Sequence, residues 1–217
     1  GESLTNIDSN YIAYGNFNSA LTKTGQTQAK LLGKRLKKEN IHFDAVYSSS
    51  FIRTVETTKI MLDNMGLPDQ SFKIVHDLIE HQSPELRGKL KKDVNAKRGA
   101  LNKKTMGMDY IPPGGESLKQ VERRMGIWVE NEILTNPEYL NKNHPIKIAA
   151  IAHGQSLQAL FHYIMGFDEK LIERFSLYNC SISRFLFNKN GWTIISINDS
   201  IHTNGNRPNP SVNRLIF

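Results

Sequence analysis

The chain has 217 residues and a mass of 24.7 kDa, with 39% hydrophobic and 23% charged residues, the profile of a soluble globular protein with a single well-buried core. No apolar run approaches the roughly 18 residues of a membrane span, and no basic and apolar leader opens the chain. The one cysteine, Cys180, excludes an internal disulfide and favours a reducing, cytoplasmic setting. The net charge of +7 is concentrated: the window from Arg87 to Lys104 holds eight basic residues against Asp93, which leaves the rest of the chain balanced. Such a segment attracts an anion, although charge alone favours the plainer reading of a solvated helix face.

In chain order, Thr22 caps a predicted helix to about Lys38, with Ala29, Leu32 and Leu36 on its inner face. Asp44 to Tyr47 reads as a short buried strand. Phe51 to Met65 reads as a helix with Ile52, Val55, Thr58 and Met61/Leu62 along one side, stopped by Gly66 and Pro68. Phe72 to Val75 is a second strand. The stretch from His81 to Pro113 is weakly periodic and lysine-rich and ends in Pro112-Pro113-Gly114-Gly115, so it is predicted to be an excursion from the core. Helical spacing returns from Glu116 to Leu134.

Ile146 to Ala152 has the apolar profile of a central parallel strand, and a helix is predicted from Gln155 to Met165. Ile182–Phe187 and Trp192–Ile197 flank Asn190-Gly191, a hairpin signal. Alternation of this kind predicts an α/β fold, a three-layer α/β/α sandwich with a mostly parallel central sheet and a small cap insertion. His153-Gly154 sits where the apolar strand breaks into a helix. Ligands of parallel sheets bind at such junctions and helix N-termini favour anions, so a phosphate site is one reading; a histidine satisfied by the core is the other.

Taken together, Gly1-Glu2-Ser3-Leu4-Thr5-Asn6, Leu21-Thr22-Lys23-Thr24-Gly25, Ser48-Ser49-Ser50-Phe51-Ile52-Arg53, Leu78-Ile79-Glu80, Pro113-Gly114-Gly115-Glu116-Ser117 and Ala152-His153-Gly154 resemble, in order, the motifs of the histidine phosphatase (phosphoglycerate-mutase-like) superfamily. Asn179-Cys180-Ser181-Ile182, Gly191-Trp192 and Ile197-Asn198-Asp199 resemble its closing strands. The resemblance implies one catalytic domain over 1–217, with a basic cap insertion at about 81–115. It also implies a first strand and an Arg-His pair upstream of Gly1, the histidine being the nucleophile that forms a phosphohistidine.

By the same resemblance Arg53 clamps the phosphoryl oxygens, and His153 donates to them as an imidazolium beside the backbone N–H of Gly154 or Gln155. Asn6 offers its amide N–H₂ and Gly1 lies at the phosphate. Glu80 is the general acid, a role that needs a carboxyl held protonated in a closed site. Each has a plainer reading: Arg53 a surface cation, Asn6 a turn residue, Glu80 an exposed carboxylate. Glu116 could touch substrate, but its simpler role is to favour a helix N-terminus. No cofactor is implied, and the seven histidines show no clustered metal-ligand spacing.

Pro84, Glu85 and Gln158 depart from the family pattern and leave substrate preference open. The 73-position interval from Glu80 to His153, with the Asn179-Cys180-Ser181 ending, resembles the phosphatase branch rather than the mutases. The expected activity is metal-independent hydrolysis of a small phosphorylated metabolite, with the basic window suggesting a substrate bearing further anionic groups. A phosphoglycerate mutase is the alternative. A truncated, non-catalytic relative that uses its basic patch on nucleic acid is the contrasting class; no nucleic-acid or membrane motif supports it.

Overall fold

The computed structural model describes residues 1–7, 11–12, 18–84, 89–90, 107–172 and 176–203. Its elements are α1 (Leu4–Ile7), β1 (Tyr11–Ile12), α2 (Lys23–Lys38), β2 (Ala45–Ser49), α3 (Ile52–Met65), β3 (Lys73–Val75), β4 (Lys89–Leu90), α4 (Leu118–Trp128), α5 (Pro137–Leu140), β5 (Ile148–Ile151), α6 (Gly154–Met165), β6 (Ile182–Asn188) and β7 (Gly191–Asp199). Strands β3, β2 and β5 form a parallel sheet with β2 in the middle, registered Tyr47 to Lys73 and Ala45 to Ile148. β6 and β7 form an antiparallel hairpin through Asn190-Gly191, as the turn signal predicts, and β1 and β4 make a two-residue antiparallel ladder. Most of the basic window from Arg87 to Lys104 lies outside the described residues, as does Glu85.

Alternation along the strands divides the core into two layers. Val46 packs with Leu32, Leu36, Met61, Leu62 and Met65 of α2 and α3, while Tyr47 faces Val121, Met125, Trp128, Ala159 and Phe161 of α4 and α6. On β5, Ala149 and Ile151 join the first cluster and Ile148 the second. Successive side chains of a strand point to opposite faces, so helices cover both sides and the α/β/α expectation holds.

Thr22 caps α2 by accepting from Gly25 N at 3.0 Å, and Arg35, Lys37 and Lys38 occupy the helix's negative end. Glycine at 25 has a second cause, because a Cβ there would lie 1.9 Å from Glu2 O. That approach docks the opening segment: Thr22 N donates to Glu2 O at 3.0 Å, and Thr22 Oγ1 donates to Glu2 Oε1 at 2.7 Å.

Two expectations need correction. The buried stripe of α3 runs through Thr54, Thr57, Thr58, Met61, Leu62 and Met65, whereas Ile52 is 41% exposed. The threonines can be buried because their hydroxyls donate to backbone carbonyls, Thr58 Oγ1 to Thr54 O at 2.8 Å and Thr57 Oγ1 to Arg53 O at 2.7 Å. The second correction is Met108, which falls in the expected excursion but is buried against the α4–α6 layer. Helical geometry does continue from Leu118 to Leu134, its last six residues in wider π-helical turns, and a Ser117–Gln120 capping box opens it.

Candidate active site

The carboxyl ends of β2 and β5 lie side by side, with Ser48 registered against Ile151. The residues that follow, Ser49 on β2 and His153 after β5, therefore meet. His153 Nε2 is 2.8 Å from Ser49 Oγ, and the ring packs edge-on against Phe51, with centroids 5.1 Å apart. The Arg53 guanidinium stacks over the other partner of that contact, 4.8 Å from the Phe51 centroid.

His153 is 6% exposed. Burial first, then the nearby charges of Arg53, of the Gly1 amine and of Arg124, push its pKa well below the usual imidazole value. This shift favours the neutral ring and runs against the imidazolium expected from sequence. Burial also lowers the Arg53 pKa, and the neighbouring Glu80 charge pulls it back up. An arginine starts high enough to stay charged.

Glu80 lies in irregular backbone after the turn His76–Leu78, and its Oε1 accepts from His81 N at 2.9 Å and from Ser156 N at 3.1 Å. The second bond seats the carboxylate on the first turn of α6, where backbone N–H groups lack helical acceptors. Asn6 is oriented from behind: its Oδ1 accepts from Ser3 N at 2.8 Å and from Ser3 Oγ at 3.1 Å. The amide N–H₂ is then the group Asn6 has to offer.

A cavity of about 920 Å³ is lined by Gly1, Asn6, Arg53, Glu80, His153 and Gly154 together. Six of the seven site residues predicted from sequence thus converge, although they span 154 positions of the chain. Gln155 is the exception and does not line the cavity; it stands half-buried in the first turn of α6. Glu116 is also absent from the lining and instead bonds Arg124 and Gln82 N. Sequence reasoning missed Ser49, Arg124 and the backbone of Ser156. For Ser49 a signal existed, since a hydroxyl ending one strand must neighbour a histidine ending the next.

Beyond these groups the cavity continues as a groove between β5 and β6. One wall is 146–152 and the other is 179–186, with Leu32, Leu36 and Met61 also lining it. Among the described strands β5 pairs with β2 and β6 with β7, so a β5 edge and a β6 edge both lack a strand partner. No group of three or more metal-ligating side chains occurs among the described residues, and no helix among them is long and apolar enough to cross a membrane.

The arrangement of one arginine, one histidine, one amide and a helix N-terminus around a carboxylate is suited to a tetrahedral oxyanion such as a phosphoryl group. Comparison with known proteins agrees. A family model described as histidine phosphatase superfamily (branch 1) matches residues 1–200. The 2,3-bisphosphoglycerate-dependent phosphoglycerate mutase of Methylobacterium sp. (strain 4-46) is 31% identical over 160 residues, 73% of this chain and 74% of that protein. The phosphoglycerate mutase of Schizosaccharomyces pombe is 32% identical over 158 residues, 71% of this chain and 72% of that one. Among solved structures, the mycobacterial glucosyl-3-phosphoglycerate phosphatase with VO3 superposes with a TM-score of 0.76 at 21% identity, covering 92% of this chain and 95% of that chain. Phosphoserine phosphatase of Entamoeba histolytica with 3-phosphoglyceric acid gives a TM-score of 0.74 at 19% identity, covering 94% and 95%. The chain belongs to the histidine phosphatase superfamily, branch 1.

Proposed function

We propose that the protein is a metal-independent phosphatase that hydrolyses small phosphorylated metabolites through a phosphohistidine. The observation that carries this reading is the convergence of Gly1, Asn6, Arg53, Glu80, His153 and Gly154 on one cavity. The nucleophile is assigned to a histidine on a strand preceding Gly1. The groove supports that strand, because Gly1 stands beside His153 at one end while Phe43 and Ile146 line the other. A segment leading into Gly1 would run parallel to β5, with open strand edges on both sides to pair it.

In the proposed reaction a ring nitrogen of that histidine bonds to phosphorus as the P–O bond to the substrate alcohol breaks. Glu80 gives its proton to the departing oxygen. Water then attacks phosphorus, the P–N bond breaks, and the water proton returns to Glu80 as phosphate leaves. Arg53 and the Asn6 amide hold the equatorial oxygens. Ser49 Oγ, which itself accepts from Phe51 N at 3.4 Å, bonds His153 Nε2 and so fixes the plane of the ring beside the phosphoryl group.

Hydrolysis is chosen over transfer on the Asn179-Cys180-Ser181 ending and the Trp192 hairpin. The Glu80–His153 interval does not help: the Methylobacterium mutase aligns over 74% of its length and this chain over 73%, so the two are of similar size. Those mutase relatives favour a second reading, movement of a phosphoryl group between hydroxyls of phosphoglycerate. Eight basic residues between Arg87 and Lys104 support a substrate with more than one anionic group, and a lone cysteine supports a cytoplasmic setting.

The test is phosphate release by the full-length protein from a panel of phosphomonoesters and bisphosphates, with chelator present and His153→Ala alongside. Release that survives chelator and collapses in the variant is expected. Interconversion of phosphoglycerates without release would establish the mutase instead. Charge reversal at Lys91/Lys92 is expected to raise KM for a bisphosphate, and an unchanged KM would remove the multiply anionic substrate.

A further inference from the structure

The Glu80 carboxylate reaches α6 from backbone with little regular structure of its own, since Ile79 N to His76 O at 3.0 Å closes the preceding turn and irregular chain follows. What holds that backbone comes from another part of the chain. Arg124, in the middle of α4, bonds Glu116 through two sides of its fork, Nε to Oε2 at 2.9 Å and Nη2 to Oε1 at 2.8 Å. Its remaining N–H groups donate to the carbonyls of the Glu80 segment: Nη1 to Asp77 O, and Nη2 to Ile79 O at 2.9 Å.

Glu116 holds the same segment from its other end. Its Oε1 accepts from Gln82 N at 3.2 Å, its N donates to Gln82 O at 3.1 Å, and its carbonyl lies 2.6 Å from His81 Nε2. Residue 115 must be glycine for this approach, because a Cβ there would sit 2.2 Å from Gln82 O. The two charged side chains are only 17% and 18% exposed, so the pair is more than a surface contact. Neither lines the cavity.

We infer that Arg124 and Glu116 are a positioning pair: together they fix the backbone from Asp77 to Gln82 and thereby set the Glu80 carboxylate on the first turn of α6. The inference rests on the reading that Glu80 exchanges the proton of the leaving group. Lysine cannot replace Arg124, since a point charge on a flexible stem cannot bond a carboxylate and two carbonyls in one plane.

The experiment compares Arg124→Lys and Glu116→Gln with the parent enzyme on two substrates. One is an alkyl phosphomonoester, whose alkoxide needs a proton to depart; the other is p-nitrophenyl phosphate, whose phenolate leaves without one. For a displaced general acid, kcat/KM with the alkyl ester should fall on the order of 10²-fold, because a misplacement of about 1 Å costs that much. With the aryl ester the fall should be several-fold at most. Equal losses on both substrates, or none on either, would overturn the inference.

Glu80→Gln runs beside them. If it shows no dependence on the leaving group, the proton-transfer reading of Glu80 fails. If it shows the dependence and both positioning variants do not, the positioning pair alone fails. Arg124→Lys and Glu116→Gln change no core volume, and their thermal unfolding checks that both are folded.

Discussion

His153 Nε2 bonds Ser49 Oγ at 2.8 Å and ties the carboxyl ends of two neighbouring parallel strands together at the candidate site. Both residues are buried, at 6% and 0% exposure. Ser49→Ala should therefore leave a buried ring nitrogen unpartnered and destabilise the fold by about 1–3 kcal/mol. Activity should fall as well, because the ring loses the bond that fixes its orientation. Urea unfolding and kcat/KM measured together check this; unchanged stability would mean that the hydroxyl is dispensable to the ring.

The lowered pKa of His153 makes a prediction about pH. Its folded pKa lies well below the ordinary value through burial first and Arg53 next. Below a pH of about 6.5 the unfolded imidazole binds a proton that the folded ring refuses. Unfolding then takes up protons, so stability is complete above that pH and declines as the pH falls beneath it. His202 is lowered too, chiefly by burial, and contributes in the same direction. The wild-type unfolding free energy should drop between pH 7.5 and 5.5, and His153→Asn should flatten that slope. Equal slopes would show that the folded ring carries a proton.

Arg53 faces Glu80 electrostatically and lines the same cavity. Replacing it with lysine keeps a charge but loses the planar pair of donors. For Arg53→Lys, kcat should fall by about 10²-fold, the scale of removing one donor from a developing oxyanion. A change confined to KM would assign Arg53 to ground-state binding only.

On α3, two aliphatic positions should behave oppositely. Leu62 is 2% exposed in the cluster under β2, and Leu62→Ala should cost about 2–5 kcal/mol. Ile52 is 41% exposed, and Ile52→Ala should stay within about 0.5 kcal/mol. Chemical denaturation of the two variants tests which face of the helix is buried.

Much was legible before any fold was known. Thr22 and Gly66 marked helix ends, the apolar runs at 44–47 and 146–152 marked two strands, and Asn190-Gly191 marked the hairpin, because capping, alternation and turn geometry are local properties. The resemblance to a family's motifs named Asn6, Arg53, Glu80 and His153, which the fold brings to one cavity. On α3 the sequence placed Thr58, Met61 and Leu62 on the buried face but chose Ile52 and Val55 over Thr54 and Thr57, whose hydroxyls are satisfied by backbone carbonyls within the helix. The charge state of His153 depended on burial and on Arg53, 100 residues away, which no local pattern reports. Likewise the partners of Glu116 and Arg124 are carbonyls and N–H groups of the 77–82 backbone, which carry no side-chain signature. Sequence by itself determined most of the elements and the family, and it named six residues that line one cavity. Tertiary structure alone decided protonation, orientation and support, because these arise from groups distant in the chain that meet only when the sheet assembles.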